Sequence, residues 1–247
     1  MKHIVITVAA VILVWELVLR GGYIPGLWDI FTTFFELLVY PDFLYNLWTS
    51  CWRLGTGWFI GMLAGTAIGV VMGTNIHARK LIMPLVSGLF PIPKIALLPL
   101  FIVVLGIGET SKITTIFIGA FFPSIITAYS SVLRTPIQYI EAGQVFGGNR
   151  WFIIRHIILP YNLPSIIQGF RTSGSLALTL LVAAEMLGAK HGLGYWIFMT
   201  GGAMDFAEMF AGIIWLSIIG ISINLGVDWL KNTFCKWSTI TEGLERR

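Results

Sequence analysis

Four ionisable residues interrupt long apolar runs of this 247-residue chain: Glu16, Lys94, Arg171 and Glu185. At the centre of a bilayer each costs about 2.5–3.5 kcal/mol on insertion scales, so such groups usually face a protein interior or a water-filled path. Lys94 and Glu185 offer the most useful chemistry there. An ammonium and a carboxylate can line the path of a charged solute or pair with each other, or Glu185 can simply tie helices together. Arg171 and Glu16 lie near the ends of their runs and can reach the headgroup level instead. A second polar patch, EAGQVFGGNRWFIIRHIILP at 141–160, stands between apolar stretches. Residues 137–150 can form a short amphipathic helix along the membrane, with Ile140, Val145 and Phe146 available to an apolar groove and Glu141 and Arg150 to polar partners. Gly147 and Gly148 allow a turn, Trp151 to Leu159 climb back, and Pro160 and Pro164 mark the start of the next span.

Other chemistries lack their residues. No lysine follows a glycine, so the phosphate-binding G-x-x-x-x-G-K-[ST] loop is absent, as are H-E-x-x-H and G-x-S-x-G. Cys51 and Cys235 are assigned to opposite sides of the membrane, which argues against a disulfide, and the four histidines are scattered, so no metal site is expected. An intramembrane enzyme would need a convergent nucleophile, base or metal set, and none is visible. A secondary transporter or channel, with Glu185 and Lys94 as an ion relay, stays open on these residues alone.

The elements that carry these groups are apolar helices. Hydrophobic residues make up 56% of the chain and charged ones 11%, against about 25% charged in ordinary soluble domains, and mean hydropathy is +0.83. Apolar segments near 4–19, 54–73, 81–105, 113–133, 163–187 and 206–230 predict an all-α polytopic membrane protein of about six spans. The first is read as a retained span, because Arg20, Gly21, Gly22 and Tyr23 follow it in place of a small-residue cleavage site. Lysines and arginines concentrate in segments that are cytoplasmic if both termini are, which orients a multi-pass chain with both termini and the Glu141 segment in the cytoplasm. The net charge of +4 follows from that topology and needs no nucleic-acid partner. Residues 21–53, rich in aromatics, are expected as a connection lying at the outer surface in contact with lipid. Gly57, Gly61, Gly65, Gly69 and Gly73 recur every fourth residue and predict close packing of that helix against another. Pro84, Pro91, Pro93 and Pro99 break the third segment, as tolerated where protein or a cavity satisfies the freed backbone.

The order Glu141, Ala142, Gly143, Gly147, Ile157, Leu159, Pro160 resembles the E-A-A-x3-G-x9-I-x-L-P signature of permease subunits in type I ABC importers, with glycine as the third small residue. PIPKIALLPL, GIGETSK, AEM and GLGY resemble the nitrate, sulfonate and taurine branch, in which an arginine is common where Phe90 stands. The resemblance implies the type I importer fold as one permease domain over 1–247, with its core at 54–230 and a cytoplasmic ATPase-coupling segment at 137–160. It implies two permease subunits, here read as a homodimer, two cytoplasmic ATPase subunits that alone bind ATP, so that this chain is no enzyme and carries no cofactor, and an external solute-binding protein. The solute it implies is a small anion moved by alternating access, with sulfonates and taurine ranked ahead of nitrate; a thiamine-precursor pyrimidine or bicarbonate is the alternative.

Overall fold

The computed structural model describes Trp15 and residues 24–237, so the expected span at 4–19 falls almost wholly outside the described residues. The first element is α1 (Leu27–Glu36), whose Asp29 carboxylate accepts the Gly26 N–H at 3.1 Å and closes the helix start. A 3-10 turn, Leu37–Val39, leads into α2 (Pro41–Thr74). Residues 41–53, expected as part of a surface connection, are the first turns of a 34-residue helix. Pro41 explains the start, since its fixed φ suits the first helical position, and Asp42 in the first turn complements the helix dipole. At 1.5 Å per residue α2 runs about 51 Å, well beyond a hydrocarbon core of about 30 Å. Tyr45, Trp48 and Trp52 lie exposed on its early turns, suited to the headgroup level.

Helices α3 (Ile76–Leu89) and α4 (Leu98–Leu105) follow, the latter preceded by a 3-10 turn at Lys94–Leu97. The third segment is not straight: the chain bends by 90° between Ile76–Leu89 and Lys94–Leu105. Pro91 and Pro93 cannot donate to a continuing ladder, and Lys94 takes up one freed acceptor by donating to the Phe90 carbonyl. The remaining helices are α5 (Glu109–Leu133), α6 (Ile137–Val145), α7 (Arg150–Gly188), α8 (Leu193–Gly202) and α9 (Phe206–Phe234). Helices α2, α5, α7 and α9 are each long and apolar enough to cross a membrane, and the bent pair adds a fifth span if it counts as one.

By contacts the chain divides into two compact units, one of Met1–Trp52 with Val182–Ile219 and one of Arg53–Leu181 with Gly220–Arg247. In the first, Phe43 is fully buried against Trp196 and Trp215. In the second, α2 and α5 touch backbone to backbone. A Cβ built on Gly61, Gly65 or Gly69 would lie 2.5, 2.3 or 2.5 Å from the carbonyl oxygen of Phe117, Phe121 or Ile125. On Gly57 and Gly73 it would strike the side chains of Ile116 and Val132. Ala120, Ser124 and Ala128 supply the small side chains opposite, so both helices are flattened where they meet.

Helix α7 already begins at Arg150, so Pro160 and Pro164 sit inside it instead of starting it. A wide π turn at Ile154–Ile158 precedes Pro160. Proline offers no N–H and crowds the carbonyl four residues back, and the wider turn moves that carbonyl aside.

Candidate functional site

Helix α6 holds Glu141, Ala142 and Gly143 on nine residues. Gly143 is the buried member of the trio: a Cβ there would stand 2.4 Å from Ile157 Cδ1. Glycine in place of the second alanine thus lets α6 lie directly on the π turn of α7, and Ile157 is the side chain that uses the space. The helix ends in a Schellman motif. Gly148 N–H donates to the Gly143 carbonyl and Gly147 N–H to that of Gln144, both at 2.9 Å, with Gly147 at φ +79° in the left-handed region. Asn149 then opens α7 by accepting the Phe152 N–H at 2.8 Å.

Two of the groups expected to serve a partner are used within the chain. Ile140 packs into the cluster of Val132, Ile153 and Ile158, together with Val70, Ile154 and Ile157. Arg150 donates to the Thr74 carbonyl at 2.8 Å, closing the end of α2. Glu141 and Ala142 remain exposed, and at the tip Val145 and Phe146 are 84% and 88% exposed. Leu159 and Pro160 are half-buried in α7.

Glu185, 0% exposed, lies at the centre of a capped helix start. The first amides of α8 are each held by a side chain: Gly192 N–H by Asn46 Oδ1 at 2.5 Å, Leu193 N–H by Ser50 Oγ at 2.7 Å, and Gly194 N–H by Glu185 Oε2 at 2.9 Å. Ser50 Oγ in turn lies 2.8 Å from both carboxylate oxygens. Asn46 and Ser50 are one turn apart on α2. A carboxylate at a helix N-terminus meets both the orphan amides and the dipole. The glycines of GLGY follow from the same crowding. Gly192 has φ +127°, and a Cβ there would stand 2.3 Å from the Glu185 carboxyl, while one on Gly194 would stand 2.6 Å from the Val182 carbonyl oxygen. Glu185 is thus buried with its carboxylate engaged by Ser50 and the Gly194 amide. Lys94 is half-buried, with Nζ 4.4 Å from the Phe90 ring centroid and 5.7 Å from that of Phe122, a cation held against aromatic faces.

The sequence reading missed one charged cluster. Arg53, 2% exposed, reaches Glu109 through Nε and Nη2, each at 2.6 Å, and Lys112 adds a third contact at 3.2 Å. The available signal was GETSK, which sets Glu109 and Lys112 one helical turn apart, together with an arginine entering an apolar run. Arg171 also differs from the expectation, since it forms an ion pair with Asp228 of α9. Along α7, Ser165, Gln168, Thr172, Ser175 and Thr179, spaced by three and four, form one exposed polar face.

Apolar spans with a flattened helix contact, a 90° break and one small loop helix presenting a bare apolar tip describe a polytopic helical membrane protein. The chain belongs to the family of binding-protein-dependent transport system inner membrane components, whose model matches residues 57–236. It is a permease subunit of the ABC-importer type, which displaces the reading as a secondary transporter or channel. It is 30% identical to the putative aliphatic sulfonates transport permease protein SsuC of Bacillus subtilis, over 95% of this chain and 87% of that one. It is 32% identical to the taurine transport system permease protein TauC of Escherichia coli, over 78% and 70%, and 29% identical to the nitrate import permease protein NrtB of Synechococcus elongatus, over 73% and 66%. Among solved structures, the inward-facing MetNI methionine ABC transporter matches 81% of this chain and 96% of its own chain at TM-score 0.66 and 23% identity, a likeness of fold.

Proposed function

We propose that this chain is the translocating subunit of an importer for a small anion, driven by a separate ATPase that grips α6 and fed by an external solute-binding protein. One observation carries the reading. Val145 and Phe146 stand almost fully exposed at the end of a helix that Gly143, Ile157 and the Arg150–Thr74 contact fix to the bundle. Such a tip suits insertion into an apolar groove, and its rigid base suits transmission of the partner's movement. Both termini and α6 then face the cytoplasm, ATP is bound only by the partner, and two identical permeases enclose the path by alternating access. The polar face of α7 is the surface best fitted to that path, with Lys94 beside the bend as a further cation. Glu185 serves as the anchor of α8. Sulfonates, including taurine, rank first as solute because relatives of that name match much of the chain; nitrate follows, and a thiamine-precursor pyrimidine or bicarbonate is the alternative.

The test is ATP-driven uptake in proteoliposomes holding permease, ATPase and binding protein. Glu141→Lys and Phe146→Asp reverse a charge and place a charge on the apolar tip without touching the spans. Each should lower uptake at least tenfold and weaken copurification of the ATPase, with normal amounts of permease in the membrane. Gly147→Trp should do the same, since φ +79° costs a side chain about 1–2 kcal/mol. Undiminished uptake in all three would remove the coupling role.

A further inference from the structure

Helices α5, α7 and α9 border an open-sided cavity of about 400 Å³ whose lining includes Thr127, Ser131, Arg134, Gln168, Thr172 and Lys231. Its character is one-sided: two cations, several hydroxyls and an amide, and no carboxylate in the lining. Ser131 is 2% exposed, and its hydroxyl has no hydrogen-bond partner among the described residues. A buried hydroxyl left unpaired is unfavourable, and an acceptor oxygen brought into the cavity would satisfy it. Arg134 donates twice to Ser130, through Nε to its carbonyl and through Nη2 to its hydroxyl, out of five N–H donors. The floor is tight, because Gly169 lies against Thr127 so closely that a Cβ would stand 2.3 Å from Thr127 Cγ2. The polar face of α7 runs directly into the cavity through Gln168 and Thr172.

We propose that this cavity binds an oxyanion, with Arg134 and Lys231 supplying charge and Ser131 donating its hydroxyl to one oxygen. A sulfonate, nitrate or carboxylate group fits the donor set, and so does the phosphate of a lipid headgroup. In the orientation proposed above the cavity lies toward the cytoplasmic end of the path, a last holding point before release. It rests on the importer reading for that placement only.

The permease–ATPase complex, reconstituted in nanodiscs of neutral phosphatidylcholine, is dialysed to equilibrium against radiolabelled methanesulfonate. Saturable binding is expected, weakened at least tenfold by Arg134→Gln and about tenfold by Ser131→Ala, since bonds to charged groups are the strong ones. Arg134→Lys, which keeps the charge, should recover part of the loss, and Asp205→Asn, outside the cavity, should change nothing. A second arm uses discs containing phosphatidylglycerol. If lipid phosphate is the resident group, these discs depress methanesulfonate binding, and Arg134→Gln lowers the phosphatidylglycerol that copurifies. Either pattern sustains the site and names its source. Equal methanesulfonate binding and equal lipid retention in wild type, Arg134→Gln and Ser131→Ala would overturn it. Uptake, measured with the same proteins in proteoliposomes with the binding protein, separates the two readings: ATP-driven uptake together with the equal binding and lipid retention just described sinks the site alone, and the predicted binding losses without any ATP-driven uptake sink the importer reading alone.

Discussion

Gly65→Leu is expected to leave almost no folded protein. The Cβ alone would lie 2.3 Å from the Phe121 carbonyl oxygen and 2.8 Å from Ser124 Cβ, and both belong to a helix that cannot yield locally. Overpacking of a close contact costs about 1–3 kcal/mol even where neighbours relax. Here the remaining isobutyl group has nowhere to go except by prising α2 from α5 along the whole stripe, which also parts Gly61 from Phe117 and Gly69 from Ile125. Gly65→Ala should be intermediate, and Gly55→Ala, with open space around it, close to neutral. The measurement is monodisperse yield in mild detergent, followed by thermal unfolding. Normal yield and unfolding temperature for Gly65→Leu would mean that these helices do not touch as described.

Glu185→Gln should also act on assembly before transport. The carboxylate accepts from Ser50 and from the Gly194 amide at once. An amide side chain has one acceptor oxygen, and its NH2 set against either donor leaves a buried donor unpaired, at about 1–3 kcal/mol. The charge at the start of α8 is lost as well, worth up to about 2 kcal/mol in a buried setting. The expected result is a lower yield of folded subunit and faster proteolysis near residues 189–205. Ser50→Ala should reproduce part of this, because Leu193 then loses its partner. Glu185→Gln protein that is produced and protease-resistant at wild-type level, yet fails in uptake, would return Glu185 to the path.

What the sequence made legible followed from periodicity and breakers. The glycines of α2 stand where a four-residue repeat placed them, against α5, and the prolines at 91 and 93 mark the bend. The Schellman turn was foreshadowed by Gly147 and Gly148. The misses share a different physics. Nothing local couples Asn46 and Ser50 to Gly192 and Leu193, because one helix turn meets another loop only through the fold. Arg53 ends the stretch expected as a surface connection, and only a helix that starts at Pro41 carries it into its buried contact with Glu109. Ile140 was assigned to a partner because a helix periodicity cannot say whether its apolar face meets its own chain or another.

Asn46 and Ser50 leave the ribosome 146 and 143 residues before the amides they hold, roughly 7–30 s at 5–20 residues per second. During that interval α2 already carries two polar side chains aimed at a segment that does not exist. When Glu185 emerges it is an acid in an apolar helix, and it becomes sheltered only after Gly194 has been made and turned back over it. The nascent protein therefore passes through a stage with α2, α5 and most of α7 made and α9 still to come, a naked carboxyl at Glu185 and the side chains of Asn46 and Ser50 still waiting for their amides. Membrane quality-control proteases are presented with a recognisable immature form, and chains truncated just before Gly192 should be cleared faster than chains that extend past Gly202.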